Sequence, residues 1–499
     1  MHTKATTLRL VYFIALILLC FACNEDTIEP KGEGSISGVV LHASTNQPIA
    51  GVSISTSPAT TAVVTDAEGK FILRDVPGGN YAISAKKAGL KAETVSVAVI
   101  DGKETQATLV LGDSNTDQAA PGKPSNPDPA EKATNISIAD TLRWMSVATD
   151  GDSTFYDVYL YESGSTEKKK VAEAIADTSV VVTDLKYNTT YFWQVIAKDK
   201  SSNVTNGPVW SFSTVAFPDA RYLFARNTDG NYDIYSSDGT AANVFQLTSN
   251  FSREWWPVMS PRRNEIAYSS NIGVDPQIYL MGRDGTNKRQ ITTVPVAGYH
   301  NQGIGFAWAP DGGQLIYSNY DKLYRIERDG SALTLIATAP ANRHFRTLDW
   351  TDRGNRIVAQ TIGANINESE IYIMDASGAN MTLLVEDMPG RVESPVFSID
   401  GKNILYTRDV AGYENAEGRQ LDSRIFRKNI DGTGLVDLSA NKPAGTNDLY
   451  PRYSPTGDKI IFVNTPNDGL GPYDIYVMDA ADGKNRTKIF SNAIMPDWE

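Results

Sequence analysis

Residues 257–285 read PVMSPRRNEIAYSSNIGVDPQIYLMGRDG. Pro257-x-Met259-Ser260-Pro261 leads into a turn, Ile266-Ala267-Tyr268 carries the alternation of a strand, and Ile278-Tyr279 runs on to Asp284-Gly285, a dipeptide that supplies the positive φ a tight hairpin needs. Both signatures recur. The apolar-aromatic pair with its turn appears at Ile234-Tyr235 with Asp238-Gly239, Leu323-Tyr324 with Asp329-Gly330, Ile371-Tyr372 with Ser377-Gly378, Ile425-Phe426 with Asp431-Gly432 and Ile475-Tyr476 with Asp482-Gly483. These turns lie 45 to 54 residues apart, a spacing that suits one four-stranded antiparallel blade. The leading signature returns as Phe306-x-Trp308, Leu348-x-Trp350, Pro395-x-Phe397 and Pro451-x-Tyr453, and its sixth copy, Pro496-Asp497-Trp498, stands at the extreme carboxy terminus. The first blade starts at Arg221-Tyr222-Leu223-Phe224 without a leading strand of its own. The sequence therefore predicts a ring of six blades over residues 216–499, closed by its C-terminal strand, an arrangement that leaves no exposed sheet edge.

These repeats resemble the TolB-type six-bladed β-propeller with WD40-like repeats. That resemblance implies a periplasmic protein-interaction surface, with the loops entering each leading strand ringing one mouth of a central channel.

The chain ahead of the ring is also all-β. Between residues 34 and 112, short alternating runs are split by Asn46-Gln47-Pro48, Asp66-Ala67-Glu68-Gly69 and Pro77-Gly78-Gly79-Asn80, the pattern of a β-sandwich. Pro48-Ile49-Ala50-Gly51-Val52, Thr65-Asp66-x-x-Gly69-x-Phe71 and Val76-Pro77-x-Gly79-x-Tyr81 resemble the carboxypeptidase regulatory-like domain, which implies a spacer or docking unit without chemistry. Residues 113–134 read as a linker, semi-extended because of Pro121, Pro124, Pro127 and Pro129. Residues 135–215 form a second sandwich: Leu142-Arg143-Trp144, Tyr156 to Leu160, Tyr191 to Ala197 and Trp210 to Thr214 resemble strands of a fibronectin type III domain, with Leu185-x-x-x-Thr189-x-Tyr191 as its tyrosine corner. Trp144 and Trp193 are expected in its core, and Asp150-Gly151-Asp152 as a turn.

Lys4 and Arg9 precede an apolar stretch from Leu10 to Ala22, too short to span a bilayer and arranged as a signal peptide over residues 1–22. Ala22-Cys23 at its end resembles the bacterial lipoprotein signal, which implies lipidation of Cys23, a polar tether over residues 23–33, and attachment to the envelope of a Gram-negative bacterium as an outer-membrane lipoprotein. A plain secretory signal with an incidental cysteine is the other reading. Cys20 and Cys23 are the only cysteines, so the rest of the chain holds no disulfide and no thiolate metal site.

The net charge of −13 argues against nucleic acid, which needs a dense basic face. Gly-x-Ser-x-Gly, a phosphate-binding loop and His-Glu-x-x-His are all absent from the sequence. Candidate ligand-binding residues therefore come from the loops at the channel mouth: Arg253, Glu254, Trp255 and Trp256; Tyr299, His300 and Asn301; Arg343, His344 and Arg346; Arg391 and Glu393; Asp448 and Tyr450. Three readings are open. These are solvated loops round a structural channel; or a site where aromatic faces and polar groups hold a protein or glycan partner; or, by a loose resemblance to propeller polysaccharide lyases, an enzyme with a metal near His300, Gln302 and His344. The expectation is a monomeric, envelope-anchored binding protein without a cofactor, its partner an envelope protein or glycan.

Overall fold

A computed structural model describes residues 32–114, 120–146, 153–165, 168–201, 203–240, 242–273, 275–386 and 389–499. The expected signal peptide, Cys23, most of the expected tether and the expected Asp150-Gly151-Asp152 turn lie outside them. The chain divides into two compact units, one up to Ala216 and one from Phe217.

The first unit holds both sandwiches. In the first, Glu33–His42 lies between Lys70–Pro77 (antiparallel) and Glu104–Leu111 (parallel), and a second sheet orders Val63–Val64, Ser53–Ser57, Gly79–Lys86 and Glu93–Val99. Ile36, Val40, Ile54, Leu73, Ile83, Val95 and Leu109 fill the space between the sheets. In the second sandwich, Asp140–Met145 pairs with Ser125–Asp128 and Ser179–Val182, facing a five-stranded sheet centred on Thr190–Lys198. Trp144 and Trp193 are buried in its core with ring centroids 6.5 Å apart. The phenol oxygen of Tyr191 accepts the Lys186 N–H at 2.9 Å, closing the corner read from the sequence.

Residues 120–134 depart from the linker expectation. Ser125–Asp128 is a sheet strand, Thr205 Oγ1 donates to Pro121 O at 2.6 Å, and Ala133–Ile136 pairs in parallel with Val204–Thr214. The reason lies in Phe155–Glu162, which buries aromatic and aliphatic side chains on both faces of the sheet. Val158 and Leu160 enter their own core, while Tyr159 and Tyr161 join the core of the first sandwich together with Phe192 and Ile196. A strand buried on both faces needs cover on both, and here the first sandwich supplies the second. Polar residues finish the joint. Gln194 Oε1 accepts the Thr108 N–H at 2.8 Å, and Asn206 both accepts from Val110 N (2.9 Å) and donates to Val110 O (3.0 Å). Side chains of one sandwich thereby cap the edge strand Glu104–Leu111 of the other, which would otherwise present unpaired backbone.

The second unit is the six-bladed ring. Its innermost strands are Ile494–Trp498, Glu254–Met259, Phe306–Trp308, His344–Thr351, Val392–Phe397 and Thr446–Tyr453, for blades 1 to 6. Blade 1 is completed by the carboxy terminus: Ile494–Trp498 pairs antiparallel with Tyr222–Thr228 at Tyr222↔Trp498 and Leu223↔Asp497, and Trp498 stacks on Tyr222 with centroids 5.0 Å apart. The Asp-Gly turns close the outer hairpins. At Gly285 φ is +80°, and a Cβ would meet the Leu247 carbonyl oxygen at 2.7 Å, so the turn both requires and accommodates only glycine. Asp284 Oδ1 accepts the Thr286 N–H at 3.1 Å, and Asp329, Asp431 and Asp482 repeat that contact. The aromatic of each apolar-aromatic pair stacks across the hairpin on a ring from the preceding strand: Phe224 with Tyr235, Tyr268 with Tyr279, Tyr317 with Tyr324, Tyr406 with Phe426 and Phe462 with Tyr476. Such cross-strand aromatic pairs stabilise the hairpin beyond the area they bury. Blade 4 is the exception, with Ala359 opposite Tyr372.

Candidate functional site at the propeller mouth

The innermost strands are broken by a repeated device. Pairing slips between Trp255 and Val258, Glu393 and Val396, and Leu449 and Arg452. Trp256 (φ 55°), Ser394 (φ 54°) and Tyr450 (φ 53°) occupy the left-handed region there, as does Met495 (φ 55°) in the closing strand. Each is followed by proline. A non-glycine residue held there costs about 1–2 kcal/mol, and the gain is one of direction. All four line the narrow part of the channel, where only about 10 Å³ stays open, the room of one water. Trp256 meets Tyr450 edge-on at 5.8 Å, and the Arg452 guanidinium lies 5.7 Å from the Trp256 ring.

Above this waist the channel widens into a cavity of about 440 Å³. Of the residues expected at the mouth, Arg253, Trp255, His300, Arg346 and Tyr450 line it, as does Gln302. Tyr232, Asn271, Pro276, Ile304 and Met495 complete the wall. Tyr232, Asn271 and Pro276 come from the hairpins formed by the second and third strands of their blades, away from the leading signature, whereas Ile304 and Met495 stand beside it but are apolar and so carried no signal of a site.

Behind the wall sits a buried charge cluster. Glu393 Oε1 accepts from both Arg346 Nη1 and Arg391 Nη2, and its Oε2 accepts from Gln420 Nε2 at 3.0 Å. Burial alone would raise the Glu393 pKa, but the charges and hydrogen bonds of Arg391 and Arg346 outweigh it and hold the carboxyl below its ordinary value. Burial pulls Arg346 down, opposed by Glu393. Tyr450 is pushed up to about 12 by burial and by the same carboxylate.

Other expected residues are placed elsewhere. Glu254 is fully buried and its Oε1 accepts from Asn250, Ser252 and Ser270, which braces the loop before blade 2. Asp448 is fully buried and paired with Arg486 at 2.7 Å. Asn301 donates to Ser318 Oγ at 3.0 Å and accepts from Ile304 N. Arg343 pairs with Glu370 at 2.9 Å. A carboxylate or amide inside a blade has a sequence context no different from one at the mouth, so only packing separates them. Tyr299 stacks on His344 at 3.7 Å.

The two histidines serve separate contacts. His300 Nε2 lies 2.9 Å from Ala364 O and so carries the proton it donates; His344 Nδ1 accepts the Tyr299 N–H at 2.9 Å, and burial lowers its pKa. Among the described residues no group of three or more His, Cys, Asp or Glu is arranged to hold a metal ion.

Large apolar side chains stand exposed on the rim of the mouth, among charged residues such as Asp229, Glu414 and Asp468. Because the strands of a blade alternate in direction, its loops alternate between the two ends of the ring. Phe251, Ile272, Tyr299, Tyr320, Val410, Tyr413 and Leu470, all exposed, lie on loops of the mouth end, with Phe251 at 109% and Leu470 at 88% relative exposure. The opposite end exposes Ile399, Leu333 and Leu435 among its Asp-rich turns.

Fold and site together define a β-propeller protein with a pair of sandwiches ahead of the ring. Residues 36–119 match the family model for the CarboxypepD_reg-like domain. An uncharacterized protein of Agrobacterium fabrum is 25% identical over 224 residues, covering 37% of this chain and 74% of that protein. A TolB homolog of Chlorobaculum tepidum is 29% identical over 117 residues, 22% of this chain and 25% of the homolog, so the chain spans a quarter of that relative's length. The crystal structure of TolB from Acinetobacter baumannii aligns with a TM-score of 0.45 at 15% identity, over 63% of this chain and 80% of that one. Residues 36–119 thus form a carboxypeptidase regulatory-like domain, and the chain carries it ahead of a six-bladed propeller.

Proposed function

We propose that this protein is an envelope-anchored scaffold whose propeller mouth docks a protein partner, with the sandwich pair set between a lipidated Cys23 and the ring in the chain. The observation that carries this reading is the set of exposed apolar side chains on the mouth loops, with Phe251 and Leu470 almost wholly exposed, around a cavity that contains Arg253 and Arg346. Scattered exposed apolar residues are ordinary, but seven of them at one concave end that also carries arginines suit a protein interface. A protein partner is favoured over a glycan because Trp255 and Trp256, the rings expected to stack on sugars, are 9% and 5% exposed and offer no open face.

The test is capture from envelope extract by the full chain. Phe251→Asp with Leu470→Asp should abolish a specific band, while Ile399→Asp with Leu435→Asp at the opposite end should leave it. Equal capture by both variants overturns the docking face. The anchor is tested separately: Cys23→Ala should move the protein to the soluble fraction, and retention in the membrane would refute lipidation.

A further inference from the structure

We propose that the mouth cavity takes the free C-terminal carboxylate of an extended protein segment, an inference that rests on reading the mouth as a protein-docking face and names what enters it. Among the described residues the cavity wall holds Arg253, Arg346, His300, Asn271 and Gln302 and no carboxylate side chain, in a chain whose net charge is −13. An acid-free, arginine-bearing cavity in so acidic a protein selects an anion by charge complementarity.

The arginines are placed for it. Arg346 is 5% exposed. Its Nε donates to His300 O at 3.1 Å and its Nη1 is held by Gln360 and Glu393, so Nη2 is left without a protein acceptor among the described residues. Two guanidiniums, Arg346 and Arg391, share the single carboxylate of Glu393, which leaves one positive charge uncompensated there. Arg253 adds another. Its backbone is fixed by Asn271, whose Oδ1 accepts the Arg253 N–H at 2.8 Å and whose own N–H donates to Arg253 O at 3.3 Å, and its guanidinium has no acceptor among the described residues. The Arg346 donor, held before the ligand arrives, loses little entropy on binding it, and a charged N–H to a carboxylate is among the stronger hydrogen bonds.

The floor decides between a chain end and a passing chain. Tyr450 and Met495 border both the cavity and the waist, where about 10 Å³ is open. A segment that enters meets this constriction, and a chain end suits it better than a passing chain. Tyr232, Pro276, Ile304 and Met495 give the apolar wall for its last side chain.

The experiment uses the immobilised full chain and two pools of N-acetylated synthetic hexapeptides of identical random composition, one ending in free acid and the other in amide, with retained peptides read by mass spectrometry at about 0.15 M salt. The expected result is at least about tenfold preferential retention of free acids, the factor a charge-assisted hydrogen bond supplies, with apolar last residues enriched. Arg253→Gln should lower that preference severalfold with an unchanged melting temperature. Equal retention of the two pools, retention of neither, or enrichment indifferent to the last residue overturns the inference. Should the pools behave alike while Phe251→Asp with Leu470→Asp still abolishes capture from envelope extract, the docking face stands and the carboxylate site falls.

Discussion

Asp497 Oδ2 accepts the backbone N–H of Met259 at 2.8 Å across 238 positions of sequence. The bond carries the innermost strand of blade 1 to that of blade 2, and blade 4 repeats it toward blade 5, where Asp349 Oδ2 accepts the Phe397 N–H at 2.7 Å. The ring is therefore stitched at channel level by carboxylates that its interior encloses. Burial raises the pKa of both, and Arg452 opposes the rise in each case.

That enclosure fixes a pH response. Asp349 is raised to about 6, chiefly by burial, with Asp497 adding to the rise and Arg452 and the backbone N–H groups opposing it. Glu499 beside it is raised as well. A carboxyl whose folded pKa lies above its unfolded value binds more protons when folded, so its contribution is full below the unfolded pKa and is lost as pH rises through about 6. The melting temperature should fall between about pH 4 and pH 6. Asp349→Asn keeps an oxygen for Phe397 N and loses the charge, so it should stabilise the ring at pH 7 by about 1–2 kcal/mol and flatten the profile; a less stable variant at pH 7 would contradict this account.

Glu393 works in the opposite sense. Its folded pKa is depressed, so its contribution is present at neutral pH and is lost on acidification through the carboxylate range. Glu393→Gln would leave Arg346 and Arg391 buried without their anion, at a cost of about 3–5 kcal/mol. Denaturant midpoints should show this loss, and adding Arg346→Met should recover part of it.

Removal of residues 494–499 takes away the strand paired with Tyr222–Thr228, the Trp498–Tyr222 stack and the Asp497–Met259 bond. It also uncovers the edge of blade 1, a template for intermolecular pairing. The truncated protein should melt earlier by as much as a core lesion causes, about 3–5 kcal/mol, and run as larger species in size-exclusion chromatography. An unchanged melting temperature would remove the closing strand's role.

Asn206→Leu strips Val110 of partners for both its N–H and its carbonyl. Each buried backbone group left unsatisfied costs about 1–3 kcal/mol. Calorimetry should show the sandwich transition shifted down and the propeller transition unmoved, because the two compact units carry separate cores.

The blades, the closing strand and the tyrosine corner were legible in the sequence because each depends on residues close together in the chain. Asp-Gly must turn, alternation must pleat, and Pro496-Asp497-Trp498 repeats a pattern already met five times. The packed sandwiches left a trace in Tyr159, Tyr161 and Phe192, apolar on the face that a free sheet would turn to water, but that trace does not say what covers it. At the mouth, Glu254, Glu393 and Asp448 occupy like positions in like loops, yet only Glu393 stands behind the cavity, with Arg346 and Arg391 on either side.

Sequence by itself determined the all-β class, the six repeats and how the ring closes, since backbone dihedral preferences and side-chain period act over a few residues. The tertiary structure alone decided that two sandwiches share a core, that Tyr232, Asn271 and Met495 join Arg253 and Arg346 round one cavity, and that the channel narrows where Trp256, Ser394, Tyr450 and Met495 meet. Those outcomes depend on where a left-handed residue before proline aims its side chain, and that direction acquires meaning only against neighbouring blades.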